Sequence, residues 1–156
     1  MQNHFTLCLW FDNQAEEAAE FYTSVFRNSF TGNISRYGKE GFEHHGQEEG
    51  TAMAVPFTIN GMSFIALNGG PLFRFSEAVS IQVFCDSQEE IDYYWKRLSE
   101  GGEEGQCGWL KDRFGLSWQV IPSVLQELLS DPERSERVTA AFMKMKKFDI
   151  ETLLKA

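Results

Sequence analysis

The sequence has few cysteines and a shortage of basic side chains, and both limit what the protein can do. Its three cysteines, Cys8, Cys85 and Cys107, are odd in number and form no C-x-x-C pair. This excludes a disulfide framework and favours reduced thiols. Only 14 Lys and Arg oppose 23 Asp and Glu, and the resulting charge of -9 repels phosphate groups. We therefore expect neither nucleic-acid binding nor attachment to a membrane surface.

Long apolar runs are also lacking. No stretch of the sequence approaches the roughly 20 apolar residues that cross a bilayer, and the first residues show no basic segment followed by an apolar one. We therefore expect a cytoplasmic protein. Aromatic residues are abundant instead, with 14 Phe, 4 Trp and 4 Tyr among 156 residues. That length suits one domain or two small modules.

Two stretches of the chain begin as a strand and continue as a helix. Residues 6–11 and 80–85 are strand-like, and residues 14–26 and 88–98 carry apolar side chains at helical spacing. Asp12 and Asp86 precede the helices, and Glu16 and Glu90 fall in their first turns, so we interpret all four as caps and first-turn acids. They receive no catalytic role.

The remaining segments predict further strands and a helical end. Asn60-Gly61, between the strand-like runs 52–59 and 62–67, predicts a tight hairpin. Further strands are predicted at 30–37, 108–111 and 116–121, with loops at 38–50 and 100–105. Pro122 ends the sheet region, and residues 123–156 have a helical pattern.

The two strand–helix stretches resemble each other. Residues 6–21 align with 80–95 at an offset of 74, and residues 61–64 align with 115–118 at an offset of 54. Two matches in the same order predict an α+β protein of tandem βαβββ modules. The modules would cover about 1–72 and 73–122, and 123–156 would form a helical C-terminal extension.

Four segments carry a resemblance to a known family: EEAAEFY at 16–22, ALNGGP at 66–71, QEEIDYYW at 88–95 and CGWLKDRFGLSWQVIP at 107–122. They resemble the PhnB-like branch of the vicinal oxygen chelate superfamily, often labelled a demethylubiquinone methyltransferase domain. The resemblance implies a glyoxalase-like fold in which each module curls a sheet around a cavity. It also implies a homodimer and leaves open whether a pocket forms within one chain or across two.

The usual chemistry of that superfamily needs a divalent metal held by His, Gln or Glu. The resemblance maps the ligand positions to Thr6, Ile65, Ser80 and Gln119, of which only Gln119 is of a matching type. His4 could join Gln119, because it lies two residues before Thr6 on the same strand face. These two are weak metal candidates, so we predict no cofactor and keep a divalent metal as the less favoured alternative.

Methyl transfer would call for a glycine-rich turn that opens a helix. Asn68-Gly69-Gly70 follows a strand, but residues 71–75 show no helical pattern. The residues therefore do not support this activity, which stays an alternative carried by the family label alone.

Alternation along the strands predicts which side chains line a cavity. Thr6, Cys8 and Trp10 share one strand face, as do Ser80, Gln82 and Phe84, and also Ser117, Gln119 and Ile121. Gln82 and Gln119 need partners if buried, which would be a ligand, water or a structural bond. Trp10, Phe84 and Trp118 can equally be core residues.

Further candidates lie outside those faces. Arg74 could clamp an anion or form a salt bridge, and Trp109 could cap a pocket above a charged hairpin turn at 111–113. The thiols of Cys8 and Cys107 lack a neighbouring base in sequence, so their reactivity stays open. The predicted ligand-binding set is Thr6, Cys8, Asn68, Arg74, Ser80, Gln82, Trp109, Trp118 and Gln119.

Three functions follow. The first is a metal-free protein that binds a small organic molecule. The second is a glyoxalase, dioxygenase or transferase-type enzyme using residues such as His4, Gln119 and Arg74. The third is an interaction protein whose aromatic faces serve dimerisation alone.

Overall fold

The computed structural model describes residues 5–156, which divide into two compact units, one ending at Arg74 and the other running from Phe75 to Ala156. His4 lies outside the described residues. No helix within 5–156 has the length and apolar character to cross a membrane.

The first unit contains one sheet and one long helix. Its elements are β1 (Leu7–Phe11), α1 (Ala15–Val25), β2 (Ser29–Thr31), β3 (Ser35–Arg36), α2 (Phe42–His45), β4 (Ala52–Ile59) and β5 (Met62–Asn68). The sheet has the order β1-β5-β4-β2, with β3 also paired to β4. Asn60 and Gly61 turn the β4–β5 hairpin with φ angles of 46° and 81°, which is the pair of positive angles that a two-residue turn needs.

Helix α1 covers one face of this sheet. Its buried side chains are Ala15, Ala18, Ala19, Tyr22 and Val25, and the small residues let the helix approach the strands closely. The Tyr22 ring stacks 5.8 Å from Phe57, which stacks 4.9 Å from Phe64. Part of the aromatic excess is therefore core packing.

The second unit repeats this topology. Its elements are β6 (Ser80–Cys85), α3 (Gln88–Ser99), β7 (Glu103–Glu104), β8 (Trp109–Lys111), β9 (Ser117–Pro122), α4 (Leu125–Ser130), α5 (Ser135–Phe142) and α6 (Ile150–Lys155). The order β6-β9-β8-β7 corresponds strand for strand to that of the first unit. The predicted α+β fold of tandem βαβββ modules with a helical tail is confirmed.

The helical tail is part of the second unit. Leu128, Val138, Phe148 and Leu153 are buried, and the backbone amides of Cys107 and Gly108 donate to the carbonyls of Met145 and Lys146. Gly108 has φ 79°, and a Cβ there would lie 2.5 Å from the Phe148 ring. The tail therefore covers the start of β8.

Three local predictions need correction. The strand predicted at 30–37 is two short strands, because the register shifts at β3 and the Gly32 amide bonds to the Pro56 carbonyl. The loop predicted at 38–50 contains α2, and the loop predicted at 100–105 contains β7. Strand β7 consists of two glutamates, a composition that protects a sheet edge from pairing.

The predicted first-turn acids, Glu16 and Glu90, are confirmed, but the caps differ from the prediction. Helix α3 begins at Ser87, whose Oγ accepts from the Glu90 amide, while a Glu90 carboxylate oxygen accepts from the Asp86 amide. Asp86 therefore does not cap the helix with its own side chain, although Glu90 acts in the first turn as expected. Helix α1 has no side-chain cap from Asp12, since the Ala15 amide donates to Asn68 Oδ1 at 2.8 Å.

Candidate functional site

Each sheet has one face covered by its long helix and an opposite face that is open. On β6 the open face carries Ser80, Gln82 and Phe84, and the Phe84 ring is 60% exposed. On β9 it carries Gln119 and Ile121, whereas Trp118 points into the core and is 1% exposed. This alternation matches the sequence prediction for Gln82 and Gln119.

The amides of the open face form a short hydrogen-bonded chain. Gln82 and Gln119 are register partners across β6 and β9. Gln119 Nε2 donates to Ser80 Oγ at 2.7 Å, and Gln82 Nε2 lies 3.4 Å from Gln119 Oε1 in a longer hydrogen bond. Both ends of the Gln119 amide therefore have a protein partner.

A cavity of about 190 Å³ lies at one side of this open face. Its lining residues are Glu77, Glu103, Glu104, Gly105, Trp109, Leu110, Lys111 and Ser117. Lys111 Nζ lies 2.5 Å from a Glu77 carboxylate oxygen. That contact lowers the pKa of Glu77 and raises the pKa of Lys111, so both groups are charged at neutral pH.

Ser117 is the buried polar residue of this cavity. It is 1% exposed, and its hydroxyl has no hydrogen-bond partner among the described residues. Its register partners are Ser80 on β6, which belongs to the amide chain, and Lys111 on β8, which belongs to the ion pair. Ser117 therefore lies between these two groups. A buried hydroxyl without a partner costs free energy that a bound molecule can recover.

The first unit has a cavity of about 240 Å³ on its own open face. Its lining residues are Thr6, Phe30, Gly32, Pro56, Phe57, Thr58, Ser63, Phe64 and Ile65. None of these side chains is ionisable. Three hydroxyls interrupt an otherwise apolar lining, which suits a neutral molecule.

The two cavities occupy equivalent positions in their sheets. The β4–β5 ladder pairs Thr58 with Ser63, and the β8–β9 ladder pairs Lys111 with Ser117. By the same registers Pro56 corresponds to Trp109, Ile65 to Gln119 and Phe30 to Glu103. The fold therefore supplies one pocket position in each unit, and the side chains make one neutral and the other charged.

The other predicted site residues have varied surroundings. Thr6 lines the cavity of the first unit, Trp109 lines that of the second, and Arg74 is exposed after β5. Asn68 is 2% exposed, and its amide holds Ala15 and Ala52. Trp118 Nε1 donates to Asp112, which makes this tryptophan part of the core.

The turn predicted at 111–113 is present, but its charge is not all on the surface. Asp112 is 2% exposed and accepts hydrogen bonds from the amides of Phe114 and Leu116 as well as from Trp118. The carboxylate thus fixes the β8–β9 connection from inside.

The thiols differ in their exposure. Cys8 is exposed on the open face of β1, and partial burial raises its pKa. Burial, together with the charges of Glu90 and Asp86, raises the pKa of Cys85 to about 12, so this thiol stays protonated. The Cys107 thiol contacts the Phe142 carbonyl and the Met143 sulfur.

The donor atoms do not suit the metal of the superfamily. Of the four mapped positions, Thr6 and Ile65 line the neutral cavity, and the Ser80 and Gln119 side chains are bonded to each other. Over residues 5–156, no three His, Cys, Asp or Glu side chains are grouped to hold an ion. Hydroxyls and one amide are weak ligands for first-row metals.

Sequence reasoning missed the four ionisable lining residues of the charged cavity: Glu77, Glu103, Glu104 and Lys111. Lys111 and Glu103 are paired across β7 and β8, which appeared as a turn and a short strand in the sequence. The repeat does not supply this signal, because the offset of 54 aligns Lys111 with the core residue Phe57. Only the β8–β9 connection, which is one residue longer than the β4–β5 connection, places Lys111 opposite Ser117.

The sheet order and open faces are those of the vicinal oxygen chelate superfamily. Within it, the family described as 3-demethylubiquinone-9 3-methyltransferase matches residues 3–121, and the chain belongs to this PhnB-like family. A PhnB protein from Bacillus cereus is 34% identical, with a TM-score of 0.69 over 78% of this chain and 100% of that one. None of the curated proteins matches the chain.

More distant structures share the fold alone. A Pseudomonas aeruginosa protein is 18% identical, with a TM-score of 0.62 over 78% of this chain and 98% of that one. The fosfomycin resistance protein FosX from Listeria monocytogenes, solved with Mn(II) and sulfate, is 17% identical. Its TM-score is 0.55 over 83% of this chain and 96% of that one.

Proposed function

We propose that this protein binds a small organic molecule at its open sheet faces without the help of a catalytic metal. The observation that carries the proposal is the state of Gln119. It is the one mapped ligand position of a suitable type, and its amide is already bonded to Ser80 and Gln82. A metal would have to displace those bonds and find its other ligands among hydroxyls and an isoleucine.

The character of the open faces supports an organic ligand. In the second unit, the Trp109 indole and the Phe84 ring provide apolar contact area. The amides of Gln82 and Gln119 and the buried Ser117 hydroxyl can add a few orienting hydrogen bonds. Phe84 is 60% exposed and Phe30 62% exposed, which is a large apolar area to leave in water. We expect the ligand to bind in the cytoplasm and to a homodimer, the assembly that the family resemblance implies.

Methyl transfer, the activity in the family's description, is less well supported by this chain's residues. The Asn68-Gly69-Gly70 turn has no free backbone amides, since those of Gly69 and Gly70 donate to the carbonyls of Phe11 and Asp12. The Trp10 indole fills the turn, because a Cβ on Gly69 would lie 2.2 Å from its ring. A nucleotide-like cofactor would need those amides.

Metal analysis of the protein purified without added metal tests the proposal. We expect far less than one equivalent of any divalent ion by mass spectrometry, and no saturable heat on titration with Mn²⁺ or Zn²⁺. The variant Gln119→Leu serves as a reference, since it removes the amide and keeps the volume. One equivalent of metal per chain that disappears in this variant would favour the metalloenzyme instead. Sedimentation equilibrium tests the dimer.

A further inference from the structure

We propose that the cavity of the second unit selects a small organic cation, an ammonium or amidinium group carried on a flat apolar body. This proposal rests on the proposed function and assigns a chemical class to its ligand. The observation that starts it is the position of the unsatisfied Ser117 hydroxyl in a cavity lined by charged residues.

The charge of the cavity determines the sign of the ligand. Two carboxylates, Glu77 and Glu103, lie on the same side as one ammonium, Lys111, which gives a net formal charge of -1. Lys111 is bonded to Glu77, and this contact holds both in their charged forms. A carboxylate or phosphate would therefore meet uncompensated negative charge, whereas a cation is attracted.

The carboxylates are not equally available to a ligand. Glu104 also lines the cavity, but its carboxylate accepts a hydrogen bond from Trp95 Nε1 at 2.9 Å, on the side of the sheet that α3 covers. Glu103 lies opposite Lys111 in the β7–β8 ladder and is exposed. Its charge contributes to the raised pKa of Lys111, but it makes no salt bridge with a described residue. The Glu103 carboxylate is therefore the group that receives the cation.

Trp109 and Ser117 define the rest of the ligand. The Trp109 indole offers an aromatic face to a cation or to a flat apolar group. The buried Ser117 hydroxyl accepts a hydrogen bond from an N–H donor. A cavity of about 190 Å³ that is partly open to solvent accommodates a small body such as one aromatic ring.

A bare metal ion is the other cation to consider. No grouping of three His, Cys, Asp or Glu side chains suited to a metal occurs in the described part of the chain. Moreover, a hydrated ion would gain nothing from the indole face. The neutral cavity of the first unit provides the internal comparison, because Ser63 and Thr58 stand at the positions of Ser117 and Lys111.

Benzylammonium is a suitable probe, and benzyl alcohol and benzoate are its neutral and anionic analogues. Binding is followed by ¹H–¹⁵N spectra of the four indole N–H groups. Trp10, Trp95 and Trp118 donate to Gly70, Glu104 and Asp112, whereas the Trp109 N–H has no described acceptor. We expect benzylammonium to shift the Trp109 signal saturably at millimolar concentration, with the Trp10 signal of the first unit unmoved.

Three comparisons test whether the cavity of the second unit selects a cation. Benzyl alcohol and benzoate should bind at least about fivefold more weakly, and added salt should weaken benzylammonium alone. Ser117→Ala and Glu103→Gln should each weaken benzylammonium about fivefold, as expected for one lost polar contact. Ser63→Ala, the corresponding change in the first unit, should not alter the affinity for this probe.

Several results would overturn the cation assignment. These are equal or tighter binding of benzoate or benzyl alcohol, no saturable shift of Trp109, or a loss of affinity in Ser63→Ala that matches Ser117→Ala. None of them introduces a metal, so the proposed metal-free function would stand. A stoichiometric divalent ion in the purified protein would instead overturn the proposed function, whatever benzylammonium does.

Discussion

The two units have the same strand order and the same ladder positions, yet they differ in how each element is fixed and in what each pocket contains. In the first unit the pocket row contains Phe30, Thr58 and Ser63, and in the second it contains Glu103, Lys111 and Ser117. The backbone thus provides a concave position twice, and the side chains give it different chemistry. Fold and function are separable here within one chain.

The hairpins that border the pockets show the same divergence. The β4–β5 turn relies on backbone conformation, with positive φ at Asn60 and Gly61 and no atom within 4 Å of a Cβ at Gly61. The β8–β9 turn relies on a buried carboxylate, Asp112, that receives two amides and an indole. Gly115 in the β8–β9 turn also has a positive φ of 86°, so both turns use a left-handed glycine and the second adds a contact with the core.

The largest difference between the units should appear when the Asp112 carboxylate is removed. Asp112→Ala leaves two amides and the Trp118 indole N–H without this acceptor, and we expect a loss of about 3 kcal/mol in the free energy of unfolding. Urea denaturation followed by circular dichroism measures the loss. Hydrogen exchange should show it first in β8 and β9.

The matched change in the first unit is Gly61→Ala. It introduces only the strain of an alanine with a positive φ, so we expect a loss of about 1 kcal/mol in the free energy of unfolding. Hydrogen exchange should become faster only in β4 and β5. Asp112→Asn keeps one oxygen acceptor and should fall between wild type and Asp112→Ala. Equal losses in Asp112→Ala and Gly61→Ala would contradict the view that the two turns are held by different means.

The starts of the two long helices give the next comparison. Asn68, on β5, reaches α1 from 53 residues away and also holds the Ala52 carbonyl at 2.9 Å. Ser87 caps α3 locally from the residue before the helix. Asn68→Ala should cost about 2 kcal/mol, because it leaves two buried backbone groups unpaired, and Ser87→Ala should cost about 1 kcal/mol.

Thermal and urea unfolding of the two variants measures that difference, and Asn68→Asp tests its origin. The aspartate retains the acceptor for the Ala15 amide but places a carboxylate oxygen against the Ala52 carbonyl. It should therefore not restore wild-type stability. An equal loss of stability in Ser87→Ala and Asn68→Ala would contradict the view that the long-range contact of Asn68 stabilises the fold more than the local cap of Ser87.

These contrasts show which features the sequence could predict. Asn60-Gly61, the alternation of Gln82 and Gln119, and the repeat at offsets of 74 and 54 are local or periodic signals, and they sufficed for the fold. The roles of Asn68 and Asp112 depend on partners that only the folded chain brings near. The charged pocket required the β7–β8 register, because it places Glu103 beside Lys111.

The smallest expected effect concerns pH, and it follows from the ion pair that only the second cavity has. Lys111 lowers the pKa of Glu77 below its ordinary 4.5, so this carboxylate stabilises the fold above that pH and loses the effect as pH falls through the lowered pKa. Lys111 behaves conversely, since its raised pKa stabilises the fold below 10.5 and the effect is lost as pH rises through the raised value.

Glu77→Gln should remove the first dependence and weaken the second, because the charge of Glu103 also raises the pKa of Lys111. It should change stability at neutral pH only slightly, because the pair is exposed. Melting temperatures between about pH 3 and pH 6 would then fall less steeply in the variant than in wild type. Glu49→Gln is the matched control, since Glu49 forms a longer exposed pair of 4.0 Å with Lys39 in the first unit. Identical pH profiles for the two variants would mean that the charges of the second cavity are not coupled to folding, and that only their effect on a ligand distinguishes it from the first.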